Sequence, residues 1–226
     1  FMQTSPLKHW ALLGYLVLVW GFAFALIAVA LDSLHPTFIV WCRLWMGAVV
    51  MWGVWRWKGG SWPLGVVWWP RLVLLSVAGN IIPFSLIAWA ELSVPSAEVG
   101  ILMALMPIAT LLLAHWLLEH EPLTWVRFCG VLMGFAGVGL LVGEDLFQSG
   151  TQGQLPGQLA TLLATLSYAF NGVYAKRIPD ADPVALSLGT LVVGGLILAI
   201  PACLLQSAGA GFAFSAEAVS VLLILG

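Results

Sequence analysis

Residues Thr37–Trp52 read TFIVWCRLWMGAVVMW. The stretch has no polar face to turn to water, so it reads as the centre of a membrane-crossing helix. One charge interrupts it, at Arg43. A guanidinium in hydrocarbon is costly, so it must face protein, a wet cavity or a partner. Pro36 opens the run and suits a first helical turn, where its missing N–H costs nothing. Arg43 then lies about 10 Å along the helix at 1.5 Å per residue.

The rest of the chain agrees with that stretch. Of 226 residues, 62% are hydrophobic and 8% charged, and the mean hydropathy is +1.03. Soluble domains are about 25% charged. The expected class is an all-α integral membrane protein, a multi-span helical bundle whose surroundings are the lipid bilayer. Net charge is −2, which gives no electrostatic footprint for nucleic acid. Cys42, Cys129 and Cys203 sit inside apolar runs and read as packing residues.

Seven complete apolar runs are present, near 10–30, 37–55, 71–90, 96–118, 123–142, 157–175 and 184–205. An eighth starts at 217. The breaks DSLHP, SVPSAE, EHEPLT and PDADP carry turn and helix-start residues. Asp182 is placed to cap the helix that begins at Pro183. The first run ends in AVA, like a signal-peptide cleavage site. It is longer than a signal's apolar region and other spans follow, so it reads as a retained helix.

Basic residues set the expected orientation. Lys8, Arg56, Lys58, Arg71, Lys176 and Arg177 flank alternate connections, while 31–36, 91–95, 143–156 and 206–216 hold no Lys or Arg. The positive-inside rule puts the N-terminus in the cytoplasm. Trp52, Trp55, Trp57, Trp62, Trp68 and Trp69 gather around the same basic connection, as an interfacial belt does.

A faint internal repeat relates WGFAF at Trp20–Phe24 to LSYAF at Leu166–Phe170, about 146 residues apart. Short apolar strings also match by chance. An odd number of spans per copy would invert the second copy, as in many secondary transporters. The expected organisation is a first five-helix repeat over 1–145 and the start of a second over 146–226. Ten helices would then be needed in all, and about seven and a half are present. Phe1 ahead of Met2 reads as an expression remnant.

The polar residues inside the runs are the candidate site. Arg43 has two readings. It pairs structurally with Glu91, Glu98 or helix-end carbonyls, or it holds a substrate carboxylate through its planar fork. In GNIIPFSLIAW, Asn80 lies mid-membrane, and Pro83 frees the carbonyl one turn back, at Gly79. Pro107 breaks the next run at matching depth, and such paired breaks point to a midplane site. The alternative is a simple kink, with Asn80 bonding a neighbouring helix. Ser167, Asn171 and Tyr174 share a helix face. Trp20 and Phe24 share another, beside Gly21. With Trp89 and Tyr168 they make a mixed aromatic and hydrogen-bonding set that suits a small zwitterion; helix packing explains the aromatics equally. Glu98 and Glu121 read first as helix-start carboxylates that suit the macrodipole.

No cofactor or metal is expected. His115 and Glu119 lack further ligands at metal spacing. Glu98 and His115 are the one acid–base pair worth weighing for an enzyme, and they lie about 25 Å apart along one helix. An assembly factor is the other rival class.

Ala97–Gly143, AEVGILMALMPIATLLLAHWLLEHEPLTWVRFCGVLMGFAGVGLLVG, resembles the EamA family of the drug/metabolite transporter superfamily. The likeness rests on Pro107, on the Glu121-Pro122-Leu123-Thr124 turn, and on Gly130, Gly134, Gly137 and Gly139. WGFAF, Arg43 and LSYAFNGVYAKR at Leu166–Arg177 extend it over nearly the whole chain. The resemblance implies two inverted five-helix repeats around a central cavity. It also implies a bacterial inner-membrane exporter of amino acids or related metabolites, working by alternating access. Carriers of cationic drugs or of sugars are the alternatives within the superfamily. Helices 9 and 10 and part of 8 are absent here, and in the family helices 8 and 9 help wall the cavity. Gly130, Gly134 and Gly137 suit close packing against another helix of the chain or a second protomer in a homodimer.

Overall fold

The computed structural model describes residues 6–59, 65–118, 124–147, 154–178, 182–208 and 220–222. The described residues are helical apart from short connections. The order is α1 (Pro6–Leu31), α2 (Pro36–Trp57), α3 (Trp69–Ser76), a π segment (Val77–Ile81), α4 (Ile82–Ala90), α5 (Ser96–Met103), α6 (Met106–Leu117), α7 (Trp125–Phe147), α8 (Leu155–Ala175) and α9 (Pro183–Ala208). Among the described residues, five stretches are long and apolar enough to cross a bilayer: His9–Leu31, Pro36–Trp57, Trp69–Ala90, Ser96–Leu117 and Pro183–Ala208. α8 spans 21 residues but is less apolar, because it carries Gln158, Thr161, Thr165, Ser167 and Asn171.

The helix starts follow the local chemistry. Pro36 stands in the first turn of α2, and the His35 side chain accepts from the Thr37 N–H at 3.3 Å. Asp182 Oδ2 accepts from the Ala185 N–H at 3.0 Å, the expected cap of α9. Glu98 sits in the first turn of α5. Glu121 lies outside the described residues, as does Glu119.

α9 packs along α2 and α3, and α8 packs against α4, α5 and α6. Small residues set the closeness, as expected where lipid supplies no hydrophobic drive between helices. A Cβ on Gly194 would stand 2.7 Å from Ser76 Oγ, and one on Gly195 would stand 2.9 Å from the Trp45 ring. Side chains then bond across the gap. Trp41 Nε1 donates to the Gly195 carbonyl at 3.0 Å, and Ser76 Oγ donates to the Thr190 carbonyl at 2.7 Å. Trp41→Phe is therefore expected to lower stability by about 1 kcal/mol, read as an earlier midpoint in detergent unfolding. At the far end the Gln206 side chain accepts from the His35 N–H at 2.7 Å.

The core between the helices is Ile27, Val40, Leu44, Ile87, Val99, Ala164 and Leu198, joined by Ala88, Ala90, Val94 and Ala160. The small-residue expectation for α7 holds only in part. Gly134 faces Ile108 of α6, but Gly130 and Gly137 face open space among the described residues.

A candidate solute cavity at two broken helices

The third apolar run does not cross as one regular helix. Its π segment, Val77–Ile81, holds Gly79 and Asn80. In that wider register the Ile82 N–H bonds the Val77 carbonyl. The next amide would bond the Ala78 carbonyl, but it belongs to Pro83, which has no N–H. The Ala78 carbonyl thus loses its π-register donor to Pro83. Ser167 of α8 repairs it, its hydroxyl donating to the Ala78 carbonyl at 2.7 Å. π turns recur at functional sites because they re-aim the residues they contain.

The fourth run breaks too. α5 ends at Met103 and α6 starts at Met106, with Pro107 in its first turn. The Ala104 and Leu105 amides tighten the end of α5, bonding the Ile101 and Leu102 carbonyls.

Between these two breaks and α1, α2 and α8 lies a cavity of about 210 Å³. Its wall includes Trp20 and Phe24 of α1, Arg43 of α2, Asn80 of the π segment, Phe84 of α4 and Tyr168 of α8. Ala23, Ile27, Gly79, Ile87 and Met103 complete it. The Arg43 guanidinium lies over the Phe84 ring, 4.6 Å from its centroid. Phe84 in turn meets Tyr168 edge to face at 6.1 Å. Arg43 is the one formal charge in this wall among the described residues.

Five candidates from the sequence, Trp20, Phe24, Arg43, Asn80 and Tyr168, therefore meet at one cavity. Four do not line it. Trp89 is 47% exposed on the outside of α4. Ser167 is committed to the Ala78 carbonyl. Asn171 stands behind Gly79, where a Cβ would come within 2.5 Å of its amide carbon. Tyr174 stacks on Phe170 at 5.9 Å between ring centroids.

The ion-pair expectation for Arg43 needs correction at Glu98. That carboxylate accepts from Gln158 Nε2 of α8 at 2.6 Å, tying the starts of α5 and α8 together. Gly157 allows the approach: a Cβ there would lie 2.6 Å from Val94 and 2.8 Å from Ser93 Oγ. Glu91, in the turn after α4, is the carboxylate that acts on Arg43. Both Glu91 oxygens are buried without a hydrogen-bond partner. Burial pushes its carboxyl up to about 8, against the pull of Arg43.

Phe84, Met103 and Gln158 did not stand out in the sequence. Phe84 directly follows Pro83, and a ring beside a broken turn facing a buried arginine was the available signal.

A bundle of membrane-length helices, two of them interrupted beside a cavity with one charged side chain, defines a multi-span α-helical membrane protein. The comparisons narrow the class. The chain matches the EamA-like transporter family over residues 8–143, and it belongs to that family. It is 26% identical over 208 residues to the uncharacterized inner membrane transporter YedA of Escherichia coli K12. The same figures hold for YedA of E. coli O157:H7. The match takes in 88% of this chain and 63% of YedA, so the chain spans less than two thirds of those relatives. A solved crystal structure shares the fold, with a TM-score of 0.67 at 22% identity, over 92% of this chain and 70% of that one.

Proposed function

We propose that the protein is a secondary transporter of the bacterial inner membrane, moving small carboxylate-bearing metabolites, amino acids among them, by alternating access. The observation that carries the reading is Arg43, a guanidinium laid on an aromatic ring in the wall of a cavity that holds no carboxylate among the described residues. A planar fork in that setting suits a carboxylate, and it repels a cation. Trp20, Phe24, Phe84 and Tyr168 supply apolar surface for the body of the solute. Asn80 adds a hydrogen-bonding group.

The N-terminus is proposed to face the cytoplasm. Arg56, Lys58 and Arg71 border the α2–α3 connection, and Lys176 and Arg177 follow α8. Helix alternation brings these connections to one end of the bundle, which the positive-inside rule assigns to the cytoplasm. Two inverted five-helix repeats remain the proposed organisation of the complete protein.

The test is counterflow into proteoliposomes holding the full-length protein. Labelled amino acids are expected to exchange, with amino acids and simple carboxylates competing, and with quaternary cations and sugars failing to compete at equal concentration. Competition by a cation but not by a carboxylate would overturn the substrate class. No exchange of any solute would overturn the carrier reading.

A further inference from the structure

Away from the solute cavity, a second cavity of about 310 Å³ lies between α2 and α9. Its wall includes Trp45, Val49, Trp52 and Trp55 of α2 with Leu188 and Val192 of α9, and every wall residue is apolar or aromatic. Val49 and Trp52 are exposed, so the cavity is a groove open sideways to lipid. At its inner end the Trp45 ring lies against Gly195 of α9. Its other end is level with the last turn of α2, where Trp55 stands. From Trp45 to Trp55 is about 15 Å at 1.5 Å per residue. The hydrocarbon core is about 30 Å thick, so the groove matches the depth of one leaflet. That length suits an acyl chain and is too short for a helix that crosses the bilayer.

The mouth of the groove is basic. Arg56 falls four residues after Trp52 and seven after Val49, so it continues the face of α2 that walls the groove. Lys58 caps the same helix. Arg71 of α3 comes to the same place by packing. Its guanidinium lies over the Trp68 ring, 5.2 Å from the centroid, and Trp68 and Trp55 pack on one cluster, Leu72, Ala185 and Val193. Arg56, Lys58 and Arg71 are all exposed, and none pairs with a carboxylate among the described residues. The acidic side chain described at this end, Asp182, is committed to the Ala185 N–H as the cap of α9.

We propose that this groove holds one acyl chain of an anionic phospholipid, with the lipid phosphate at the mouth against Arg56 and Arg71. The lipid belongs to the leaflet at the α2–α3 connection, the cytoplasmic one in the orientation proposed above. Nothing in the inference depends on which solute the protein moves. Guanidinium groups give a phosphate short, charge-assisted hydrogen bonds, and exposed Trp52 and Trp69 stand where indoles meet headgroups. A neutral lipid fills the groove equally well, so the basic mouth supplies the preference. The chain fills the gap between α2 and α9 by van der Waals packing, because lipid supplies no hydrophobic drive.

The experiment uses the full-length protein, delipidated in detergent and titrated with dioleoyl phosphatidylglycerol or dioleoyl phosphatidylethanolamine under native mass spectrometry. The two probes share their chains and differ in net charge. The unmodified protein is expected to retain phosphatidylglycerol at least about five-fold more tightly, the worth of one basic side chain near an anionic lipid. Equal retention overturns the proposal. Arg56→Gln combined with Arg71→Gln is expected to abolish the preference, and a preference that persists places the lipid elsewhere and overturns the site. Val49→Trp fills the groove and leaves the basic mouth intact. It is expected to weaken phosphatidylglycerol binding, and unchanged binding overturns the role of the groove. A second measurement stands even if these variants fail to fold. In the unmodified protein, phosphatidylglycerol brominated midway along its chains is expected to quench tryptophan emission more than the brominated phosphatidylethanolamine at the same mole fraction, because Trp45, Trp52 and Trp55 wall the groove. Equal quenching by the two overturns the proposal.

Discussion

Flux through the protein carrying Arg43→Gln is expected to fall about 10- to 100-fold in counterflow, with the protein still monodisperse in detergent. A charge-assisted hydrogen bond contributes about 1.5–3 kcal/mol, and each 1.4 kcal/mol is a factor of about ten. Gln keeps polarity and some length but loses the charge and the planar fork. Arg43→Lys separates those two losses. Lysine retains the charge, yet it presents a compact ammonium that neither stacks flat on Phe84 nor offers a bidentate fork. Its flux is expected to lie between Gln and the unmodified protein. Folding should survive both changes, because Glu91 can neutralise itself by protonation when its cation is removed. Equal flux in all three proteins would make Arg43 a packing residue and move the solute contacts to Asn80 and the aromatic wall.

Arg43 and Asn80 were legible in the sequence for a simple reason. Polar groups are expensive at bilayer depth, so each one inside an apolar run asks for a partner or a cavity. The breaks at Pro83 and Pro107 were legible on the same logic, since proline removes a donor that lipid cannot replace. Much of the helix pattern followed from run length and from the turn residues that divide the runs.

Phe84 and Met103 were hidden because apolar residues in an apolar run look alike, and only packing decides which of them faces the cavity. The partner of Glu98 was hidden for a related reason. Spacing along the chain does not say that α5 lies beside α8, so Gln158 could not be matched to it. On α8 the sequence drew attention to Ser167, Asn171 and Tyr174. Buried Gln158, Thr161 and Thr165 form a second polar line. There the Thr165 hydroxyl donates back to the Thr161 carbonyl at 2.9 Å and lies 3.2 Å from the Met103 sulfur. Ser167 stood out as a hydroxyl at bilayer depth, but its bond to the Ala78 carbonyl was hidden, because a period of 3.6 cannot anticipate the inserted residue of a π turn.

That register makes a sharp prediction about two residues on different helices. Ser167→Ala removes the donor that satisfies the Ala78 carbonyl. A buried acceptor left unmet costs about 1–3 kcal/mol, and Ala78 is 6% exposed. Hydrogen bonds between membrane helices average about 0.6 kcal/mol, because the unfolded chain in lipid also finds partners. The lower half of the range, about 1–1.5 kcal/mol, is therefore expected in detergent unfolding. The need for Ser167 exists because residue 83 has no N–H. Pro83→Ala restores one, and that amide can bond Ala78 in the π register or Gly79 if the turn relaxes to an α-helix. In the first case the Ala78 carbonyl gains a local donor. In the second the Ile82 amide returns to it. Either way the hydroxyl becomes redundant. Adding Ser167→Ala to Pro83→Ala is expected to cost under about 0.5 kcal/mol, a coupling that the double-mutant cycle reads directly. An equal loss in both backgrounds would mean that Ser167 acts through packing rather than through this carbonyl. The same pair separates fold from transport. If the π turn relaxes in Pro83→Ala, Asn80 rotates away from the cavity, and flux should fall in a protein whose stability is unchanged or higher.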